Sequence, residues 1–359
     1  TPPQIAATPP QIAATPPQIA APLSQTVSPP VASKQSRWLT IGIPTIPRRD
    51  NSGPIRYLSQ TLDAIKAQLP TQPDDPLYGK VMVVVLNNKP EQHEVFNEEK
   101  AKTEGGAHAV YFKFVEGEVQ QKDDSRNPEG SANIPGAKVR IQTRAVVKLM
   151  RESVGLSQHF LFMEDDFIFC PHALRVIQYI TAKADAYYPR GWSGIRISYG
   201  LCGIIINDGD VTEIANYLEQ HQARRPPDHL LPEWIAAETA QAQKYLAGRR
   251  NAGFRYNIME HIGTTSSLRQ AKQVGFPGCY EELIFPVIFE GEAWNPKTCA
   301  TDDMWPCQSR PDYWPATFPV WHVRHKDPTG MTLLGPPNKD RAGHVLQGTR
   351  DERFATIRP

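Results

Sequence analysis

Apolar runs of strand length alternate with helix-spaced apolar residues from residue 38 to about residue 220. The run from Trp38 to Thr45 closes in a Pro-Thr turn, as expected of a strand. Strands that alternate with helices indicate an α/β fold with a largely parallel sheet. The pattern predicts strands at 38–45, 80–86, 109–115, 159–163 and 194–198, and helices at about 54–69, 139–152, 171–184 and 211–220.

Proline-rich and polar stretches interrupt or flank this alternation. Residues 1–36 open with three copies of Thr-Pro-Pro-Gln-Ile-Ala-Ala, and prolines at that density favour extended polyproline II over a packed core. We therefore predict a disordered stalk at 1–36, either O-glycosylated or unmodified, a folded domain at 37–284, and a Pro- and Trp-rich extension at 285–359. The polar stretch 117–136 predicts a long loop of the kind that acts as a lid.

Charge and hydropathy exclude some classes of partner. Lys and Arg number 39 against 38 Asp and Glu, a net charge of +1, so no field would recruit nucleic acid or an anionic membrane. The longest apolar runs have strand length, so no membrane span or signal peptide is visible. Because the chain begins with Thr1, we expect a processed or trimmed form without its targeting segment.

The five cysteines form no metal-binding CxxC pattern. The only close pair along the sequence is Cys299 with Cys307. This pair predicts either a disulfide formed in an oxidising lumen or two unpaired buried thiols.

A cluster of three carboxylates, Glu164 to Asp166, directly follows the apolar run 159–163. Such a turn at the carboxyl end of a strand lies where α/β sheets bind ligands. A nucleoside diphosphate sugar needs a divalent ion to bridge its phosphates, and hard oxygen atoms hold such an ion. The cluster indicates either a metal and nucleotide-sugar site or a solvated acidic loop.

Several segments occur in an order that resembles the N-acetylglucosaminyltransferase IV family. They are Leu39 to Thr45 with Arg48-Arg49, Tyr57-Leu58 with Thr61-Leu62, Glu164-Asp165-Asp166, Gly200-Leu201-Cys202-Gly203, and Phe254-Arg255 with Glu260-His261-Ile262-Gly263 and Ser266-Ser267-Leu268. The resemblance covers residues 38–69 and 138–268, roughly half of the chain. It implies a GT-A glycosyltransferase fold, a UDP-sugar donor, a divalent metal ion and an inverting reaction. The chain departs from the family at Thr264-Thr265, where the family has a second histidine, and in residues 70–137 and 285–359.

The resemblance implies a metal site built from Asp166 and His261. Glu164 and Asp165 are then expected near the ribose and the water shell of the ion. A site of mixed carboxylate and imidazole ligands favours Mn²⁺ over Mg²⁺. The alternative for His261 is a histidine of the core.

An inverting transfer needs a carboxylate that takes the proton of the acceptor hydroxyl. We predict Asp228, which resembles the aspartate of a Pro-x-Asp-x-Leu-Leu segment in the family, and the alternative is a helix N-cap. Asp302 and Asp303 are competing candidates beside Trp305, whose ring could stack on a sugar, although a solvated turn also explains them.

Polar residues beyond the acidic cluster are candidates for the donor site. Thr45, Arg48 and Arg49 follow the first strand, where the uridine and its diphosphate would lie, and arginine binds phosphate in a bidentate manner. Arg140 and Arg144 lie one helical turn apart and are predicted to balance the pyrophosphate, whereas we interpret nearby Lys138 as part of a solvent face. Glycines 200 and 203 indicate either close backbone approach to the donor sugar, with Gly203 as the binding candidate, or a simple turn.

We therefore predict a metal-dependent inverting glycosyltransferase that moves GlcNAc from UDP-GlcNAc to a mannose of an N-glycan. One alternative keeps the fold and uses another UDP-hexose on a wall or lipid-linked glycan. The other is a non-catalytic glycan-binding surface protein with a Pro-rich spacer. The resemblance further implies the Golgi lumen and, in the full-length protein, a membrane anchor, while completion of the acceptor site is one role for residues 285–359.

Overall fold

The computed structural model describes residues 37–90, 92–119, 123, 134–265, 276–283 and 302–306, together with the backbone of 325–326 and 332–333. The predicted stalk at 1–36, most of the extension at 285–359 and the Cys299–Cys307 pair lie outside the described residues. No helix of the described residues is long and apolar enough to cross a membrane.

Strands and helices alternate through the described chain. The strands are β1 Leu39–Thr45, β2 Arg49–Asp50, β3 Gly53–Pro54, β4 Val81–Asn87, β5 Phe112–Glu116, β6 His159–Phe162, β7 Phe167–Phe169, β8 Trp192–Arg196, β9 Ile204–Asn207, β10 Arg250–Phe254, β11 Met259–His261, β12 Met304–Trp305, β13 His325–Lys326 and β14 Thr332–Leu333. The helices are α1 Tyr57–Lys66, α2 Glu94–Glu104, α3 Ala137–Ser153, α4 Ala173–Tyr187, α5 Asp208–His221, α6 Pro227–Ile235 and α7 Ala240–Leu246, with a 3₁₀ turn at Ala109–Tyr111.

The central sheet has the strand order β12-β10-β8-β9-β6-β1-β4-β5. Strand β1 runs parallel to β4 and β6, and β5 runs parallel to β4. Strand β9 is antiparallel to both β6 and β8, and β12 is antiparallel to β10. This mainly parallel sheet confirms the predicted α/β class.

Helices cover both faces of the sheet. Strand β4 is buried along its whole length, as expected of a central parallel strand. Its alternate residues enter two cores: Val83 packs with apolar residues of α1 and α4, and Val84 packs with those of α3, α5 and α6. This period of two fixes the side chains on each face, so the loops at the strand ends are positioned by a rigid layer.

A short ribbon outside the central sheet joins the acidic segment to a distant part of the chain. Strand β7 pairs with β11 in antiparallel register, with Phe167 opposite His261 and Phe169 opposite Met259. The Cys170–Cys279 disulfide lies at the other end of the ribbon, and Cys170 N–H also donates to Ile258 O. The ribbon therefore fixes the acidic cluster relative to His261.

The observed elements differ from the predicted ones where polarity or proline changes the local pattern. Helix α2 was not predicted, because its sequence is strongly polar and buries only a few positions, such as Phe96. Helix α6 begins at Pro227, close to the helix start that we considered at Asp228, and it continues through Pro232. Met304 and Trp305, which lie in the predicted C-terminal extension, pair with β10 of the central sheet.

Candidate functional site

A cavity of about 420 Å³ opens at the carboxyl ends of β1, β4 and β6. Parallel strands end at one edge of a sheet, so residues far apart in sequence converge there. The cavity walls come from the loop after β1, the residues after β4, the first half of α3 and the acidic cluster. The polar lining residues are Thr45, Arg48, Arg49, Asn88, Lys89, Lys138, Gln142, Glu164, Asp165 and Thr265.

Asp165 is held by Thr45, the last residue of strand β1, and by Arg48, which follows that strand. The Thr45 hydroxyl donates to Asp165 Oδ2 at 2.5 Å, and Arg48 Nη1 donates to Asp165 Oδ1 at 2.7 Å. Thr61 of α1 donates to the backbone carbonyl oxygens of Asp165 and Phe167. Both carboxylate oxygens of Asp165 therefore have a protein partner, which makes this residue an anchor of the site.

His93 supports the same anchor from the start of α2. Its Nδ1 accepts the N–H of Phe96, so Nε2 carries the proton and donates to the Thr45 hydroxyl at 2.8 Å. Burial, followed by the positive charge of Arg48, lowers the pKa of His93 to about 4. The neutral imidazole thus orients the Thr45 hydroxyl toward Asp165.

Asp166 differs from Asp165 because one of its oxygens is unsatisfied. Its Oδ2 lies 3.4 Å from Arg48 Nη2 and 3.5 Å from His261 Nε2. Its Oδ1 is buried without a hydrogen-bond partner among the residues the structure describes. Burial acts to raise the pKa of Asp166, but the hydrogen bond with His261 and the charge of Arg48 outweigh it and hold that pKa below its ordinary value.

The ribbon brings His261 to Asp166 through backbone contacts. The residue after β11, Ile262, donates its N–H to Asp166 O at 2.9 Å. Next comes Gly263, where a β-carbon would lie 2.4 Å from Asp166 Oδ2 and displace the carboxylate. Glycine is therefore required there for close approach.

The Asp166 and His261 pair fits a divalent cation. A buried carboxylate oxygen without a partner is costly unless a ligand satisfies it, and an ion supplies that interaction. Carboxylate oxygen with imidazole nitrogen suits Mn²⁺ better than Mg²⁺. Within the described ranges, no group of three or more His, Cys, Asp or Glu residues is placed to hold a metal, so a bound ligand and water would complete the coordination.

Glu164 lines the cavity, and Asp228 lies near enough for its charge to act on Glu164. Burial, followed by the charges of Asp166, Asp165 and Asp228, raises the pKa of Glu164 against the opposing effect of Arg48. Asp228 lies in the first turn of α6 and is half-buried. The structure thus brings the predicted base to the acidic cluster, while the N-cap position belongs to Pro226.

Gly203 lies in a turn that contacts the strand and the residue preceding Asp165. It adopts a φ of 70°, and a β-carbon there would lie 2.5 Å from Ser198 Cβ, so a tight turn requires glycine. Its N–H donates to Phe162 O, and neighbouring Cys202 accepts the N–H of Glu164 at its sulfur. These contacts fit the turn that we weighed for this segment.

Arg140 and Arg144 are not brought to the cavity. Both guanidinium groups bind Asp123, with Arg140 at 2.8 Å and Arg144 at 2.6 Å. Arg144 also donates to Gln222. Lys138, which we interpreted as part of a solvent face, is exposed and also lines the cavity, as does the exposed Arg49.

Asp302 and Asp303 belong to a buried network at the far edge of the sheet. Lys183 of α4 donates to both carboxylates at 2.6 Å, and its side chain is fully buried. Tyr187 donates to Asp302, and Tyr179 donates to Asp303. These contacts hold β12 against α4, which corrects our interpretation of the two residues as competing bases or a solvated turn.

Asn88 and the Cys170–Cys279 disulfide were not predicted from the sequence. Asn88 follows β4, lines the cavity, and has a buried Oδ1 without a partner in the described chain. Asn88 could have been predicted in the same way as Thr45, since both lie at the carboxyl ends of neighbouring parallel strands. The disulfide joins residues separated by 109 positions, and sequence spacing carries no signal for such a pair.

Comparison with known proteins gives little further information. No protein-family model and no curated protein sequence matches the chain. Two crystal structures of S. aureus TarS, a glycosyltransferase, align at 10% identity with TM-scores of 0.28 and 0.30. Each alignment covers 49% of this chain, and the two cover 29% and 48% of the TarS chains, so the chain spans less than half of either. Similarity at this level carries no argument about function.

Proposed function

We propose that the chain is a metal-dependent inverting glycosyltransferase that uses a UDP-sugar donor. The observation that carries this proposal is the Asp166 carboxylate, whose Oδ1 is buried without a partner in the described chain and whose Oδ2 lies 3.5 Å from His261 Nε2. The neighbouring residues Glu164 and Asp165 line a cavity that also carries basic and amide groups. A divalent cation at Asp166 and a nucleoside diphosphate in the cavity together satisfy these groups.

The cavity offers separate groups for the two parts of a nucleotide. Lys89, Lys138 and Arg49 supply positive charge for phosphate oxygens. The Asn88 amide supplies the acceptor that a base N–H would satisfy, and Ile141 and Val146 of α3 supply an apolar wall. Arg48 connects these groups to the proposed metal ligands, because it binds both Asp165 and Asp166.

Asp166 and His261 are the protein ligands that would hold Mn²⁺ or Mg²⁺. The ion, when bound, neutralises the charge that grows on the diphosphate as the sugar leaves. Asp228 accepts the proton of the acceptor hydroxyl as its oxygen attacks the anomeric carbon from the face opposite the leaving group. Its half-buried position near Glu164 keeps it close to the donor site and open to an acceptor.

The transferred sugar and acceptor are the finer part of the proposal. The resemblance to the N-acetylglucosaminyltransferase IV family favours GlcNAc transfer to a mannose of an N-glycan in the Golgi lumen. Transfer to a wall glycan fits the same site equally well. The Cys170–Cys279 disulfide is typical of an oxidising compartment, which suits either setting.

A pair of variants separates donor binding from chemistry. Asp166→Ala should abolish the rise in melting temperature that UDP and Mn²⁺ together produce, because a ligand bound only to the native state stabilises it. Asp228→Ala should keep that rise and lose turnover. Equal loss of donor binding in both variants would contradict the role of Asp228, and no rise in the unmodified protein would contradict the proposed function.

A further inference from the structure

Tyr57 connects the first helix to the turn that follows the metal-ligand strand. It is the first residue of α1 and is 8% exposed. Its hydroxyl oxygen accepts the N–H of Thr264 at 2.9 Å and the N–H of Thr265 at 3.2 Å, and it lies 3.1 Å from Thr264 Oγ1. One phenol oxygen thus fixes two consecutive backbone groups from 207 residues away in sequence.

The fixed turn lies immediately beyond the segment that contacts Asp166. From His261 the chain passes Ile262, whose N–H binds Asp166 O, and Gly263, which packs directly on the Asp166 carboxylate. Thr264 and Thr265 follow and are exposed apart from their contacts with Tyr57. The hydroxyl therefore holds the outer end of the segment that presses His261 and Asp166 together.

The ring of Tyr57 has a separate contact. The guanidinium carbon of Arg48 lies 5.5 Å from the ring centroid, a cation–π distance. Arg48 in turn binds Asp165 and Asp166. Phenylalanine at residue 57 would keep the ring beneath Arg48 and remove only the hydroxyl, so the two contacts are experimentally separable.

We propose that Tyr57 is a positioning residue for the metal site, whose hydroxyl holds the turn after His261 so that His261 and Asp166 can bind one cation. This inference rests on the proposed function, since it assumes that the two residues are metal ligands. Residues that orient metal ligands typically change metal affinity about 10- to 100-fold when they are replaced. We expect a loss of that order for Mn²⁺ in Tyr57→Phe.

The test is Mn²⁺ titration of the purified chain, followed by the electron paramagnetic resonance signal of the free ion. The matched control is Tyr111→Phe, because the buried Tyr111 hydroxyl also makes two backbone contacts, with Pro70 O and Gly79 N, away from the cavity. Tyr57→Phe should weaken Mn²⁺ binding at least 10-fold and leave metal-free UDP binding unchanged. Tyr111→Phe should lower the melting temperature without changing the Mn²⁺ affinity.

The other outcomes distinguish the role of Tyr57, the metal site and the proposed function. Unchanged Mn²⁺ affinity in Tyr57→Phe, or equal weakening in Tyr111→Phe, would refute the positioning role and leave the proposed function intact. If the unmodified chain binds no Mn²⁺, the metal site and the role of Tyr57 fail together. If Mn²⁺ binding is weakened in Tyr57→Phe as expected but the unmodified chain transfers no sugar, only the proposed function fails.

Discussion

Asp165 and Asp166 are adjacent in sequence but differ in how many of their carboxylate oxygens have a partner. Thr45 and Arg48 satisfy both oxygens of Asp165, whereas Asp166 keeps one buried oxygen without a partner in the described chain. The sequence predicted these residues correctly as neighbours, because all of them follow strands that end at one edge of the sheet. It could not predict that Arg140 and Arg144 bind Asp123, since these pairs are separated by 17 and 21 positions and no periodic spacing links them.

Replacement of Gly263 by alanine should disrupt the metal site selectively. The added methyl group would lie 2.4 Å from Asp166 Oδ2, so the carboxylate or the ribbon must move. We expect at least a 10-fold loss of Mn²⁺ affinity, measured by calorimetry. Gly209→Ala in α5 is the matched control, because a β-carbon there meets no atom within 4 Å. Mn²⁺ affinity in Gly263→Ala equal to that of the control would contradict this geometry.

His93 should make the fold sensitive to acid. Its pKa is about 4 in the folded chain, below its ordinary value of 6.5, so the unfolded chain binds the proton first as the pH falls. The free energy of unfolding should therefore fall between pH 6.5 and 4, by about 3 kcal/mol from this group. Above pH 6.5 the group should have no effect.

The variant His93→Asn isolates this contribution in urea unfolding at several pH values. Asparagine keeps an acceptor at the N-cap of α2 but does not titrate. The variant should lose less stability than the unmodified chain between pH 6.5 and 4. His159, whose pKa burial also lowers, is present in both proteins and cancels in the comparison. Identical pH dependence in the two proteins would refute the assignment.

At the scale of elements, the β7–β11 ribbon is the device that assembles the site. It places Phe167 opposite His261, and a disulfide closes its other end. The apolar runs predicted the parallel strands, because a fully buried strand such as β4 has an unmistakable composition. They did not predict the ribbon, since its two strands contain three residues each and pair across about 90 positions.

Loss of the Cys170–Cys279 disulfide should lower stability substantially. A bridge between residues separated by 109 positions restricts the unfolded chain, and such bridges typically contribute about 2–4 kcal/mol. Cys279→Ser should lower the free energy of unfolding by that amount in urea titrations. Reductant should destabilise the unmodified chain to the same degree and leave the variant unchanged. A variant as stable as the oxidised chain would show that the bridge makes no such contribution.

At the scale of the whole molecule, the proposed site lies at the carboxyl ends of the parallel strands in the middle of the central sheet. This region contains the cavity, the acidic cluster, His261 and Asp228. The outermost strand, β12, is joined to α4 by the contacts of Lys183 with Asp302 and Asp303. The alternating pattern predicted an α/β domain, and the near-zero net charge argued against nucleic-acid and membrane partners. The identity of the sugar depends on the positions of a few side chains, which neither the net charge nor the order of strands and helices specifies.

The proposed function is tested most directly by UDP release from a panel of UDP-sugars by the purified chain, with Mn²⁺ or with chelator, in the presence of a mannose-terminated N-glycan. We expect release from UDP-GlcNAc that requires both Mn²⁺ and the glycan, and that disappears in Asp166→Ala. Metal-dependent release from another donor would keep the mechanism and change the specificity. Release that persists in chelator, or in Asp166→Ala, would contradict the proposal that Asp166 holds a catalytic cation.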